Sequence, residues 1–210
     1  MNISRDEIYN SLKQRNGEEV FNRLLKSTVA VCGLGGLGSN IAVALSRAGV
    51  GKLIIIDFDK VDISNINRQQ YGVSQTGKFK TDALKENLKE INPYTTVISY
   101  NEKITSYNAY EFLKDADVIC EAFDSAENKA MLLDTVSEKL SGKYYVGASG
   151  MAGLHDPNNI RTKKLTSHIY ICGDLKSGIE NEALYSSGAM LCASHQAHTV
   201  LRILTGLTEQ

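Results

Sequence analysis

The chain has 210 residues, 42% of them hydrophobic, with 23 Lys and Arg against 24 Asp and Glu and a formal net charge of -1. That length buries a sizeable core, and the balanced charge excludes a general attraction to nucleic acid or to an anionic membrane. No run approaches the roughly 20 apolar residues that span a bilayer, and no linker, repeat or low-complexity tract divides the chain, so one domain over residues 1–210 is expected.

Residues 1–25 are charged throughout and lack an apolar core, which excludes a signal peptide and predicts an N-terminal helical arm. Apolar runs then predict strands at Thr28–Cys32, Lys52–Asp57, Thr96–Tyr100, Asp117–Ala122 and Lys143–Ala148. Between them, helical patterns fall at Asn40–Ala48, Lys80–Ile91, Asn108–Asp115 and Ala126–Leu140. In Lys80–Ile91 the residues Leu84, Leu88 and Ile91 recur at helical spacing, one stripe facing a sheet. This alternation predicts an α/β fold with a doubly wound, mostly parallel, Rossmann-like sheet. Runs such as LIIID, without polar alternation, suit strands buried on both faces. After Gly150 the segments NIRTKKL and SHIYICG read as two short antiparallel strands, and YSSGAMLCASHQAHTVLRILTG reads as a closing helix.

Gly33, Gly35 and Gly38 satisfy G-x-G-x-x-G between the first strand and the first helix of this core, and Gly36 adds a fourth glycine. Such glycines allow a tight turn, close approach of a phosphate and close helix packing, and the helix start then meets the phosphate with its positive end. Ligands of parallel sheets bind outside the carboxyl ends of the strands. The glycine loop, Asp57 and Asp59, Asp124 and Gly147–Gly150 are therefore expected around one crevice.

Asp57 lies where an acidic side chain accepts hydrogen bonds from an adenosine ribose, which suits NAD and ATP equally. The polar loop with Asn65, Arg68 and Gln69, followed by Lys80, favours ATP, because a triphosphate undergoing displacement needs fixed positive charge. Asp124 at a strand end suits Mg²⁺ held jointly with phosphates; its plainer alternative is a helix N-cap. Cys32, Cys120, Cys172 and Cys192 form no C-x-x-C pair, so neither a zinc site nor a disulfide framework is expected, and the cytoplasm is the natural compartment. His195 and His198, three apart, lack a third ligand and do not predict a metal site.

The segments GLGGLGSN, DFDKVDISNINRQ, GKFK, INP and EAFDSAENKAML, from about Lys26 to the C-terminus, resemble the adenylating domain shared by ThiF, MoeB and the ubiquitin-activating enzymes. With GEEVFNRLLKSTVAVCGLGGLGSN, CEAFD and ASGMAG, the short chain is most similar to short bacterial ThiF-like proteins of thiamine biosynthesis. The resemblance implies that the C-terminal glycine carboxylate of a ubiquitin-like, ThiS-like sulfur carrier ending in Gly-Gly attacks the α-phosphate of ATP, giving an acyl adenylate and pyrophosphate. It implies that Asp57 holds the ribose, with Asp59 in the nucleotide-binding set. Arg68 and Lys80 neutralise the phosphates, Asn65 and Gln69 position them, Asp124 binds Mg²⁺, and Gly35 and Gly36 let the nucleotide lie against the backbone. Residues 26–150 become the nucleotide-binding core and residues 151–210 the carrier-docking and dimer region.

The resemblance also implies a homodimer in which an arginine near the N-terminus enters the partner's site. The usual R-Y-x-R-Q is absent, and Arg15 is the substitute, with Arg5 and Arg23 as alternatives. The C-x-x-C pairs of longer members are missing, which implies no zinc, and ENEALYSSGAM carries no cysteine for sulfur transfer. Cys172 is the nearest thiol, but its flank HIYICG reads as buried. Three other readings compete: a MoeB-like or other relative activating a small acid or a tRNA base, a nicotinamide oxidoreductase, and a catalytically silent binding module.

Overall fold

The structure, a computed structural model, describes residues 3–178 and 180–208. The outermost positions of the expected 1–210 domain and Ile179 lie outside the described residues. The arm consists of two helices, α1 (Arg5–Asn16) and α2 (Glu18–Lys26). Ser4 caps α1 by accepting from the Glu7 amide at 3.3 Å, while the Glu7 carboxylate takes the Ser4 amide at 2.7 Å, satisfying two amides that a helix start leaves free. α1 buries none of its own residues, whereas α2 buries Phe21 and Leu24.

The remaining chain builds β1 (Thr28–Cys32), β2 (Lys52–Ile56), β3 (Thr96–Tyr100), β4 (Val118–Glu121), β5 (Tyr144–Ala148), β6 (Arg161–Lys164) and β7 (Ile169–Gly173). They form one sheet in the order β3-β2-β1-β4-β5-β7-β6. Every pair is parallel except β6 with β7. α3 (Gly38–Ala48), α4 (Lys80–Ile91) and α7 (Ser186–Leu204) cover one face, and α5 (Ala109–Leu113) and α6 (Ala126–Lys139) the other. Because side chains alternate along a strand, Val29 and Val31 of β1 join Leu45, Leu88 and Val200 in one core. Ala30 and Cys32 join Leu113, Leu132 and Val136 in the second. Both faces are dry, which is why these strands carry no polar alternation.

From β1 the chain winds outward through β2 to β3, then returns to place β4 on the other side of β1. That reversal opens a crevice at the carboxyl ends of β1 and β4. β2 stops at Ile56, one residue short of expectation, because the Asp57 carboxylate turns to accept the Leu34 amide of the glycine loop. α3 begins at Gly38 rather than Asn40, and a side chain at Gly38 would meet the Gly33 carbonyl at 1.8 Å, so only glycine closes this loop. The outer strand β6 exposes all four of its residues, three of them cations: Arg161, Lys163 and Lys164. Among the described residues no helix is long and apolar enough to cross a membrane.

Candidate nucleotide site

The crevice encloses about 1000 Å³ and is lined by the glycine loop, the ends of β2, β4 and β5, and the segment leading into α7. Gly33 takes φ 88° and lies so close to β4 that a Cβ would stand 2.8 Å from the Ala122 carbonyl. A Cβ at Gly35 would reach only the Gln69 amide nitrogen, at 3.8 Å, and one at Gly36 would meet the Arg68 stem at 3.3 Å and the Ala189 methyl at 3.4 Å. α3 starts without a side-chain cap and has no acidic residue in its first turn. Its positive end is left for an anion.

On the β2 side, Asp57 accepts the Leu34 amide at 2.7 Å on one oxygen and the Asp59 amide at 2.8 Å on the other. Burial pushes its carboxyl up, and the charge of Lys80 pulls against that. Lys80, at the start of α4, donates to Asp59 at 2.8 Å and lies 3.9 Å from Asp57. Tyr71 donates to the Leu34 carbonyl at 2.8 Å, its phenol held well above the usual range by burial. Asp57 is thus a brace for the glycine loop. Asp59, with 48% of its side chain exposed, is the carboxylate open to the crevice.

Asn65 accepts the Asp62 amide at 3.0 Å within its own short turn. Arg68 donates to the Ser64 carbonyl at 3.1 Å and to Asn67 at 2.9 Å. Gln69 is buried beside them, and among the described residues its Oε1 has no partner. Asn40 ties α3 to this loop by donating to the Gly36 and Arg68 carbonyls at 2.7 and 3.3 Å. Asp124 stands exposed in the crevice wall just past β4. The N-cap of α6 is Ser125, whose hydroxyl accepts the Asn128 amide at 3.4 Å, so the capping alternative for Asp124 is overturned.

Sequence reasoning missed two groups here. Phe58, Ile104 and Phe123 give the crevice an apolar flank, too scattered in sequence to form a pattern. Glu121, 1% exposed at the end of β4, pairs with Lys129 at 2.9 Å. The signal available was a carboxylate ending an apolar strand with a cation eight residues on. Gly147–Gly150 were expected at the crevice; Ala148, Ser149 and Gly150 line it, and Gly147 does not.

The N-terminal arginines do not enter the crevice of their own chain. Arg15 is exposed near the end of α1, beside Asn16, which donates to the Ala48 carbonyl at the far end of α3. Arg5 lies 4.8 Å from the Tyr9 ring centre, and Arg23 donates to the Thr205 carbonyl at 2.9 Å. The four cysteines are buried and free. Burial pushes the Cys172 thiol up, and its Sγ lies 3.4 Å from the Thr162 hydroxyl. The Cys192 thiol is pushed up to about 12 by burial. His195 contacts Thr162 at 3.2 Å, and among the described residues no three His, Cys, Asp or Glu side chains gather to hold a metal ion.

The ThiF family pattern matches residues 9–210. The chain belongs to the ThiF family. It is 35% identical over 149 residues to the tRNA threonylcarbamoyladenosine dehydratase of Haemophilus influenzae, covering 70% of this chain and 56% of that protein. It is 38% identical over 130 residues to the adenylyltransferase and sulfurtransferase uba4 of Aspergillus clavatus, covering 61% of this chain and 26% of that one. The ThiF-family chain thus spans about half or less of the length of these relatives. The E. coli tRNA N6-threonylcarbamoyladenosine dehydratase in complex with ATP superposes with a TM-score of 0.86 over 99% of this chain and 98% of its own, at 20% identity. E. coli MccB with AMPCPP and MccA gives 0.72 over 96% and 65%, also at 20%. These likenesses bear out the α/β fold.

Proposed function

We infer that this ThiF-family protein uses ATP and Mg²⁺ to adenylate the C-terminal glycine of a ubiquitin-like sulfur carrier, releasing pyrophosphate. The observation that carries the reading is one crevice in which Lys80 and Arg68 flank an uncapped helix start while Asp124 stands exposed in the wall. A diphosphate satisfied by backbone amides needs little added cation, whereas displacement at the α-phosphate needs fixed charge on the leaving group. The names of uba4 and its relatives, and the ATP complex of the E. coli dehydratase, support the same chemistry. Retention of Arg68, Lys80 and Asp124 together speaks against a silent module and against a nicotinamide enzyme.

In this reading the phosphates lie over Gly35 and Gly36, and Lys80 exchanges Asp59 for a phosphate oxygen. Asp59, freed, and Asp57 face the ribose, and the unpartnered Gln69 Oε1 accepts from the nucleotide. A lone exposed carboxylate fits Mg²⁺ only together with phosphate oxygens, since that ion commonly takes one or two carboxylates and keeps its remaining places for phosphate and water. Bound there by Asp124 and the triphosphate, the ion would withdraw charge from the leaving pyrophosphate. The buried Cys172 takes no part in adenylation, and sulfur comes from another protein. The protein acts as a homodimer in which Arg15 serves the partner's crevice.

ATP–pyrophosphate exchange is expected to require both Mg²⁺ and a small carrier ending in Gly-Gly. Absence of exchange with every such carrier of the source organism would sink the carrier reading. The similarity to the Haemophilus influenzae dehydratase favours a second substrate, a carboxyl-bearing tRNA base, and exchange stimulated by tRNA and not by carriers would select it.

A further inference from the structure

Glu121 is a carboxylate that the adenylation chemistry does not use, buried at the end of β4 directly below the crevice. Its Oε1 accepts the Phe123 amide at 2.6 Å and the Lys129 ammonium at 2.9 Å. Its Oε2 accepts Lys129 at 3.1 Å and the Ala148 amide at 3.4 Å. Lys129, from the second turn of α6, also donates to the Ala148 carbonyl at 3.0 Å. Two side chains thus join three separate pieces of the crevice wall: the turn after β4, the first part of α6 and the end of β5. Phe123 immediately precedes Asp124, and the Ser125 cap immediately follows it. The backbone that carries Asp124 is therefore held on one side by Glu121 and on the other by the helix start. From behind, Gln196 of α7 donates to the Glu121 and Val146 carbonyls at 2.9 and 3.1 Å, locking β4 against β5.

Taking the Glu121 charge out of water is costly, and well-packed apolar residues often serve stability as well as a buried ion pair does. What an apolar pair would not do is accept the Phe123 amide and fix the turn. We propose that Glu121 and Lys129 are positioning residues that set where the Asp124 carboxylate stands relative to the nucleotide phosphates and their metal ion. The inference rests on the nucleotide reading of the crevice. It predicts that disturbing the pair changes how the site uses Mg²⁺ before it changes whether the protein folds.

The test compares Glu121→Gln, Lys129→Met, the double variant and the conservative Lys129→Arg in three measurements. Hydrogen exchange followed by mass spectrometry on the free protein reads the turn itself. Both single variants should exchange faster across residues 122–128 and 147–150 with the rest of the chain unchanged. Calorimetry with a non-hydrolysable ATP analogue should show weaker binding in the presence of Mg²⁺, with the half-saturating Mg²⁺ concentration raised about tenfold. In pyrophosphate exchange, kcat should fall at least tenfold while KM for ATP moves less than threefold, and Lys129→Arg should restore all three readouts. A double variant with parental thermal stability but an impaired Mg²⁺ response supports positioning. One with a parental Mg²⁺ response and kcat overturns it, as do losses that simply follow thermal stability across the set. If the parent protein itself binds no Mg²⁺–nucleotide, the proposed function falls and the positioning role with it. If the parent binds and the variants respond as the parent does, only the positioning role falls.

Discussion

On the β2 side of the crevice Asp57 and Lys80 are buried, Asp57 tied to two backbone amides and Lys80 held between Asp57 and the half-exposed Asp59. On the opposite side, the loop after β5 and the chain entering α7 are joined mostly by exposed and half-exposed groups, with Ala152 buried. The Ala152 amide donates to the Ser177 hydroxyl at 3.0 Å, the Gly153 amide to the Ala183 carbonyl at 2.9 Å, and His155 pairs with Glu182 at 2.7 Å. The two sides divide the work between holding and yielding. A charge array already held in place needs little reorganisation when a phosphate arrives, no more than the exchange of Lys80 from Asp59, whereas ties that reach solvent open locally at small cost. In the proposed reaction the fixed side would receive the nucleotide, and the carrier tail would pass by the side that yields.

The comparison breaks most easily at the glycine loop. Gly38→Ala drives a methyl into the Gly33 carbonyl, and should cost about 3 kcal/mol or more of stability, read by denaturant unfolding. A variant as stable as the parent would mean that the fixed side is not fixed. Arg68→Ala keeps the fold but removes one charge-stabilising group, and should lower exchange by about 10²–10³. Near-parental exchange would move the phosphates elsewhere.

Subunit mixing sharpens the comparison by asking whether the fixed side is complete within one chain. Arg15→Ala and Asp124→Ala homodimers should each be nearly inactive. Random mixing makes about half the dimers mixed, each with one intact site, so roughly a quarter of all sites should recover. No recovery, with mixed dimers verified by mass spectrometry, would take Arg15 out of the partner's site.

The smallest effect belongs to the yielding side. The bond to Glu182 raises the folded-state pKa of His155, so this tie is at full strength below the ordinary histidine value of about 6.5 and is lost as pH rises through the raised midpoint. NMR titration should place the His155 midpoint above that value, and Glu182→Gln should bring it back. An unshifted midpoint in the parent would remove the tie from the comparison.

The sequence made the fixed side legible because its determinants are local: a glycine loop, an acid at a strand end, a cation opening a helix. Strand positions held to within a residue or so, since continuous apolar runs mark strands covered on both faces. The yielding side was not legible, because Gly153 with Ala183 and His155 with Glu182 pair across loops that carry no periodicity. Glu121 was hidden for a different reason. The expected strand Asp117–Ala122 includes Glu121, but nothing local in the sequence explains a carboxylate there; only Lys129 and two amides reveal why it is buried. The sequence offered Asp124 as the helix cap, and the hydrogen bond that the adjacent Ser125 hydroxyl accepts from the Asn128 amide decides against it.

The outer strand β6 bears on how the protein behaves in concentrated solution. Among the described residues its outer edge pairs with no further strand, the kind of template on which sheets of separate molecules join. Arg161 and Lys163 project to one face and Lys164 to the other, so two such edges brought together meet as like charges on both faces. That guard is electrostatic and acts over a Debye length of about 10 Å at 0.1 M salt. Raising ionic strength therefore weakens it, and high-salt stocks are where fibre-like edge association would first set in.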